Sequence, residues 1–157
     1  MEIISIFISI LVFITYMGYI VNKYGVQDSI SASYYCLPTN RQFLFTAFCW
    51  FYSTPILLSF ATPLLFLSIS CVAMVGAAAA FRGDELINKV HMTCAFGSVL
   101  FLQLSIIFDF KMWLISLVSL LISGSLMLFK SKIKNAVWWA ETINYVAIMS
   151  AIIKSIL

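Results

Sequence analysis

The sequence predicts an all-α fold: an integral membrane bundle of six transmembrane helices forming a single domain over residues 1–157. Three observations predict it. Hydrophobic residues make up 63% of the 157 positions and charged residues only 10%, against about 25% charged in a soluble domain. The charges are clustered, and the runs between them approach the ~20 residues that a helix needs to cross hydrocarbon. A chain this apolar cannot hide its nonpolar surface in one water-soluble core, so lipid is its natural solvent.

The first apolar run, 3–21, follows acidic Glu2 and lacks a nearby small-x-small cleavage site. It reads as a retained helix rather than a signal peptide. The polar stretch 22–42 carries Lys23, Asp28, Arg41, several serines and Pro38, and reads as a loop. From Phe43 to Phe81 there is no charge. That length suits two short crossings, 43–59 and 63–81, turning at Ser59–Pro63, because proline starts a helix better than it continues one. Pro55 is a candidate kink in the first of these.

Arg82 to Lys89 reads as a charged loop, 90–108 as the fourth span, and Asp109–Lys111 as a tight turn. The fifth span is 112–129. A basic loop, Lys130–Asn135, precedes the sixth, 136–153, where Lys154 can snorkel. Ser116, Ser119 and Ser123 share roughly one face of the fifth span, and Gly76 to Ala80 make the third slim. Small residues of this kind let helices approach closely in lipid.

Six spans put both termini on one side of the membrane and loops one, three and five on the other. That other side carries Lys23, Arg41, Arg82, Lys89, Lys130, Lys132 and Lys134, and the terminal side only Lys111 and Lys154. The asymmetry predicts that the three odd loops are cytoplasmic.

Composition also excludes. The net charge of +3 comes with no basic stripe or stacking platform, so nucleic acid is not an expected partner. Cys36, Cys49, Cys71 and Cys94 form no CxxC pair, and no ligand-spacing motif marks a metal centre. No cofactor is implied.

The chemistry-bearing residues gather, by topology, on one membrane face. Ser29, Ser31, Ser33, Tyr34 and Tyr35 lie in loop one, Asp84 and Glu85 in loop three. His91 opens the fourth span and Glu141 lies near the start of the sixth. Glu141 is the most informative, about five residues and roughly 8 Å inside an apolar helix, where an ionisable group usually has a partner or a purpose. Trp138, Asn144 and Tyr145 share its face, and Trp138 and Trp139 suit an interface. The lone histidine, His91, is a candidate partner for Glu141; a solvated interfacial histidine is the plainer reading. The serines equally suit turns and caps, and the tyrosines interface anchors.

The stretch Ser29-Ile30-Ser31-Ala32-Ser33-Tyr34-Tyr35 resembles the Ser-Ile-Ser-Ala-Tyr-Tyr-Tyr signature of a group of small, functionally unassigned bacterial six-helix membrane proteins, of the kind found in Bacteroides-type bacteria and their phages. In that group a histidine opens the fourth helix and a Trp-x-Glu the sixth, matching His91 and Trp139-Ala140-Glu141. Ser150-Ala151-Ile152-Ile153-Lys154 is similar to the group's closing run. Ser33 departs from the signature's first tyrosine. The resemblance implies the architecture, a bacterial inner membrane and a shared site, but no activity. It also implies a signature loop facing outward, opposite to the charge count.

Three functions compete. The first is a non-enzymatic bundle binding membrane lipid, a protein partner or a second copy of itself through Ser29, Ser31, Tyr34, Tyr35, His91, Glu141 and Tyr145, with Lys130–Lys134 touching anionic headgroups. The second is an intramembrane lipid hydrolase or transferase with Ser31 or Ser33 as nucleophile, His91 as base and Glu141 or Asp84 as orienting acid, although no nucleophile-elbow glycines accompany the serines. A metal variant using His91, Asp84, Glu85 and Glu141 has no spacing motif behind it. The third is a small transporter or channel in which Glu141 binds a proton or cation. Gln103, Ser53 and Thr54 are its other mid-span polar groups, and matched broken helices are not evident.

Overall fold

A computed structural model describes residues 2–60 and 62–156. The chain is all-α: 80% of it is helical, with no strand among the described residues. The helices are α1 (Glu2–Tyr24), α2 (Ser33–Cys36), α3 (Phe43–Ser59), α4 (Pro63–Ala77), α5 (Glu85–Phe108), α6 (Trp113–Leu128) and α7 (Ala136–Ile156), with one 3-10 turn at Thr39–Arg41. Three of them, α1, α5 and α7, are long and apolar enough to cross a membrane. Shorter apolar helices are α4 and α6, and α3 is an uncharged helix of 17 residues.

Local chemistry fixes most boundaries. The first helix ends at Gly25, whose φ of +76° is the left-handed conformation glycine adopts without strain. Its N–H donates to Val21 O. Helix α4 starts on Pro63, where the missing N–H costs nothing. The Asp109 carboxylate, arriving from the far end of α5, accepts from Leu65 N at 3.3 Å and from Ser105 Oγ at 2.9 Å. It thereby satisfies one orphan donor of α4's first turn.

The expected boundaries move most at the α4–α5 turn, while α1 runs three residues past 21 and α7 three past 153. Helix α4 stops at Ala77, not 81, and residues 78–82 form the turn into α5. Helix α5 begins at Glu85, not 90, because Asp84 caps it by accepting Ile87 N at 2.9 Å. The supposedly charged loop is therefore half helical, and Glu85 pairs with Lys89 one turn on at 2.7 Å. The first loop is also more than a loop. It folds into α2 and the 3-10 turn, and Ile30 to Ser33 and Leu37 are buried.

Helix α1 packs on α3 and α7, α3 on α4, α4 on α5, and α5 on both α6 and α7, while α6 also packs on α7. The helices close a ring with a core of Ile20, Phe45, Ile56, Leu65, Ile69, Ile106, Ile148 and Ile152. The outer surface is apolar too. Ile3, Phe7, Phe51, Leu58, Phe96, Leu114, Leu121 and Leu128 are all exposed, more apolar surface than a water-facing monomer carries.

Helix α6 makes the point most sharply. It buries Ser116, Ser119 and Ser123 and exposes Leu114, Leu117, Val118, Leu120 and Leu121. Polar residues inside and leucines outside is the arrangement for a lipid solvent. Close approach also occurs where small residues allow it. At Gly76 an added Cβ would stand 2.5 Å from Cys49 Cβ, so α3 and α4 meet there nearly backbone to backbone.

Candidate functional site

The segment after α1 turns back into the bundle and is fastened along the first turns of α7. Asn135 Nδ2 donates to Val26 O at 2.9 Å, and Trp138 N donates to Asp28 O at 3.2 Å. Ile30 N donates to Glu141 Oε2 at 2.5 Å. Alternate residues of the re-entrant strip thus meet positions 135, 138 and 141, which lie on one helical face. Asp28 O occupies one orphan donor of the α7 N-terminus. Trp138 is fully buried beneath the strip, while Trp139 is exposed. Of the two tryptophans expected at an interface, only Trp139 lies at the surface.

Within the strip the serines take different parts. Ser29 Oγ accepts Ala32 N at 3.0 Å, the side-chain turn that short polar residues favour. Ser33 Oγ donates to Ile30 O at 2.5 Å and lies 2.6 Å from Tyr16 OH. A serine has one hydroxyl proton, so Tyr16 donates in that pair. Ser31 is buried and lines a cavity.

Tyr34 packs edge-on against Tyr35 and Phe45. Tyr35 OH accepts Arg82 N at 2.6 Å, and the Arg82 guanidinium lies 4.4 Å from the Tyr35 ring centre. The strip is therefore tied to the α4–α5 turn as well as to α7. Beside it, Cys36 Sγ donates to Ser33 O at 3.0 Å, and burial pushes that thiol up, away from the reactive thiolate.

The cavity measures about 60 Å³ and lies inside the ring, walled by α3, α4, α5 and α7 and closed at one end by Ile30 and Ser31. Phe45, Phe48, Tyr52 and Tyr145 are its aromatic lining, and Glu141 and Asn144 are among its polar lining. Tyr52 and Tyr145 meet edge to face with centroids 4.9 Å apart. Tyr52 is 1% exposed, and its hydroxyl is buried without a hydrogen-bond partner. Among the described residues no donor is bonded to Glu141 Oε1, and the sole ion pair is the surface pair Lys89–Glu85.

His91 is placed elsewhere. It is 2% exposed, so it is not a solvated interfacial residue. Its Nδ1 lies 3.0 Å from Ala78 O, and its ring stacks on Phe81 at 4.0 Å. A carbonyl only accepts, so Nδ1 carries the proton, and His91 closes the C-terminal turn of α4. The candidate bond between His91 and Glu141 is not formed either: His91 is held by Ala78 O and Glu141 by Ile30 N. Neither Ser31 nor Ser33 is bonded to His91 among the described residues. Asp84 and Glu85 serve as the α5 cap and the surface ion pair. No group of three His, Cys, Asp or Glu side chains suited to a metal converges among the described residues.

Sequence reasoning missed two features. One is Tyr52 as a cavity residue, hidden in an uninterrupted apolar run. The other is a buried polar knot joining α5, α6 and α7. Gln103 Nε2 donates to Asn144 Oδ1 at 2.7 Å and to Ser119 Oγ at 3.0 Å, while Ser116 Oγ donates to Gln103 Oε1 at 2.6 Å. Asn144 Nδ2 donates to Ala140 O at 2.8 Å. The signal was available: a mid-span glutamine opposite a serine face is a bonding pattern as well as a packing one.

Compared with protein-family models, with curated proteins and with solved structures, the chain matches none.

Proposed function

We propose that this chain is a multi-pass protein of the bacterial cytoplasmic membrane that crosses it six times and binds membrane lipid without catalysis. Its polar end, built on the re-entrant strip and α7, receives the end of a headgroup. One observation carries the reading: Glu141 lines a small cavity inside a bundle that exposes large apolar side chains on each of α1, α3, α4, α5, α6 and α7. An ionisable group at such a depth is expensive to retain. Its bond to Ile30 uses one oxygen, and among the described residues no donor is bonded to the other.

The enzymatic alternative finds no assembled triad. Ser33 is committed to Ile30 and Tyr16, and His91 to Ala78. A transporter reading draws on the same cavity, since it lies between helices rather than on the outside. Ion flux through proteoliposomes separates the two, because a binding protein gives none above empty vesicles.

The test is native mass spectrometry of the full chain released from mild detergent. A retained lipid class, lost on filling the cavity with Ala95→Leu, is the expected result. Random lipid carry-over that Ala95→Leu leaves unchanged overturns the proposal.

A further inference from the structure

We infer that the cavity beside Glu141 is a site for a small ammonium-type cation, the chemistry shared by a free alkylamine and the tip of an ethanolamine headgroup. The inference rests on the binding reading above and names the ligand of the same site.

Charge is the first ground. Glu141 Oε2 is held by Ile30 N, and among the described residues no lysine, arginine or histidine is bonded to the carboxylate. A buried carboxylate without a cation is strongly disfavoured, so a ligand that brings positive charge gains most here. The aromatic lining is the second ground. Phe45, Phe48, Tyr52 and Tyr145 present aromatic groups to the same space, and aromatic faces attract ammonium cations.

Tyr52 is the third ground. Its hydroxyl is fully buried with no partner, although buried hydroxyls are almost always bonded. A ligand with N–H donors supplies that partner.

Size selects within the class. A cavity of about 60 Å³ compares with roughly 10–15 Å³ for one water on the same measure. A methylammonium-sized group fits; a whole headgroup with its phosphate does not. Hard divalent cations are a poor match, since they seek about six or more oxygen ligands, and this cavity offers one carboxylate with a few hydroxyls and an amide.

The experiment uses the full chain in nanodiscs of pure phosphatidylglycerol, titrated with methylammonium chloride against sodium chloride at equal ionic strength. Thermal unfolding and tyrosine fluorescence are the readouts. Saturable stabilisation by methylammonium beyond that by sodium is expected. Glu141→Gln keeps an oxygen for Ile30 N but removes the charge, and should weaken binding about tenfold or more, as loss of a buried charge-assisted contact does. Tyr52→Phe leaves the Ile30 bond untouched and should weaken binding by a smaller factor.

In mixed nanodiscs, ethanolamine lipid that is enriched on the wild type and displaced by methylammonium identifies the lipid as the source. Binding of methylammonium without such enrichment identifies a free amine. Equal response to sodium and methylammonium, or undiminished binding by a folded Glu141→Gln, overturns the assignment. If Glu141→Gln keeps the retained lipid while Ala95→Leu loses it, the binding reading stands and the ammonium assignment falls. If Ala95→Leu retains it as well, the binding reading itself fails.

Discussion

The carboxylate of Glu141 accepts the backbone N–H of Ile30, 111 residues earlier in the chain, at 2.5 Å. That contact fastens the re-entrant strip to α7 and closes the cavity. Replacing Glu141 by leucine leaves Ile30 N without its acceptor in a buried place. Such an orphan costs about 1–3 kcal/mol. Glutamine retains an acceptor oxygen and should cost clearly less. Unfolding of both variants in a mixed-micelle denaturant series measures the difference. Equal loss for leucine and glutamine would mean that the bond does not hold the strip.

Close packing between α3 and α4 gives a second expectation. A Cβ at position 76 would lie 2.5 Å from Cys49 Cβ and 3.3 Å from Cys49 Sγ. Gly76→Ala therefore forces the helices apart and should destabilise by about 1–3 kcal/mol, as overpacking does. Cys49→Ala removes the sulfur but not the offending Cβ, so the double variant should remain destabilised. Recovery to wild-type stability on adding Cys49→Ala would place the clash at the sulfur instead.

The knot around Gln103 predicts coupling. Gln103→Leu takes away the donor to Asn144 Oδ1 and the acceptor of Ser116 Oγ together. In a double-mutant cycle with Asn144→Leu, the two losses should be non-additive by about 0.6–2 kcal/mol, the range for polar contacts between membrane helices. Additive losses would mean that each side chain acts alone.

The six apolar helices were legible because hydrocarbon imposes a length and a composition that charge clusters interrupt. Their ends were less so. The end of α4 depended on His91 reaching Ala78 O, and capping by a residue from the next helix leaves no local pattern, whereas Asp84 capping α5 is a local signal that the charges around it masked. Glu141 stood out as a charge inside an apolar run. Its partner did not, since a backbone N–H at Ile30 has no sequence signature, and the His91 imidazole, one candidate partner, is bonded elsewhere. The strip 26–33 read as polar because its serines are polar. Three of its backbone groups bond Asn135 and the start of α7, and the Ser29 and Ser33 hydroxyls are spent on the strip itself and on Tyr16, which lets it sit inside the bundle.

Topology yields the last prediction. The six crossings proposed above would place the turns near Gly83 and Ser131 on one side and that near Lys111 on the other. Seven of the nine basic residues lie on the side of the first two, five around those turns and Lys23 and Arg41 in the first loop, and the positive-inside bias predicts that this side is cytoplasmic. Single cysteines at Gly83, Ser131 and Lys111, in a background with the four native cysteines replaced, can be probed in intact cells with a membrane-impermeant maleimide. Labelling of Lys111→Cys alone is expected. Labelling of Gly83→Cys and Ser131→Cys but not Lys111→Cys keeps six crossings and reverses the orientation, as the resemblance of the Ser29–Tyr35 signature implies. Labelling that separates Gly83→Cys from Ser131→Cys would remove the six-crossing reading, because two helices, α5 and α6, lie between them and must return the chain to the side it left.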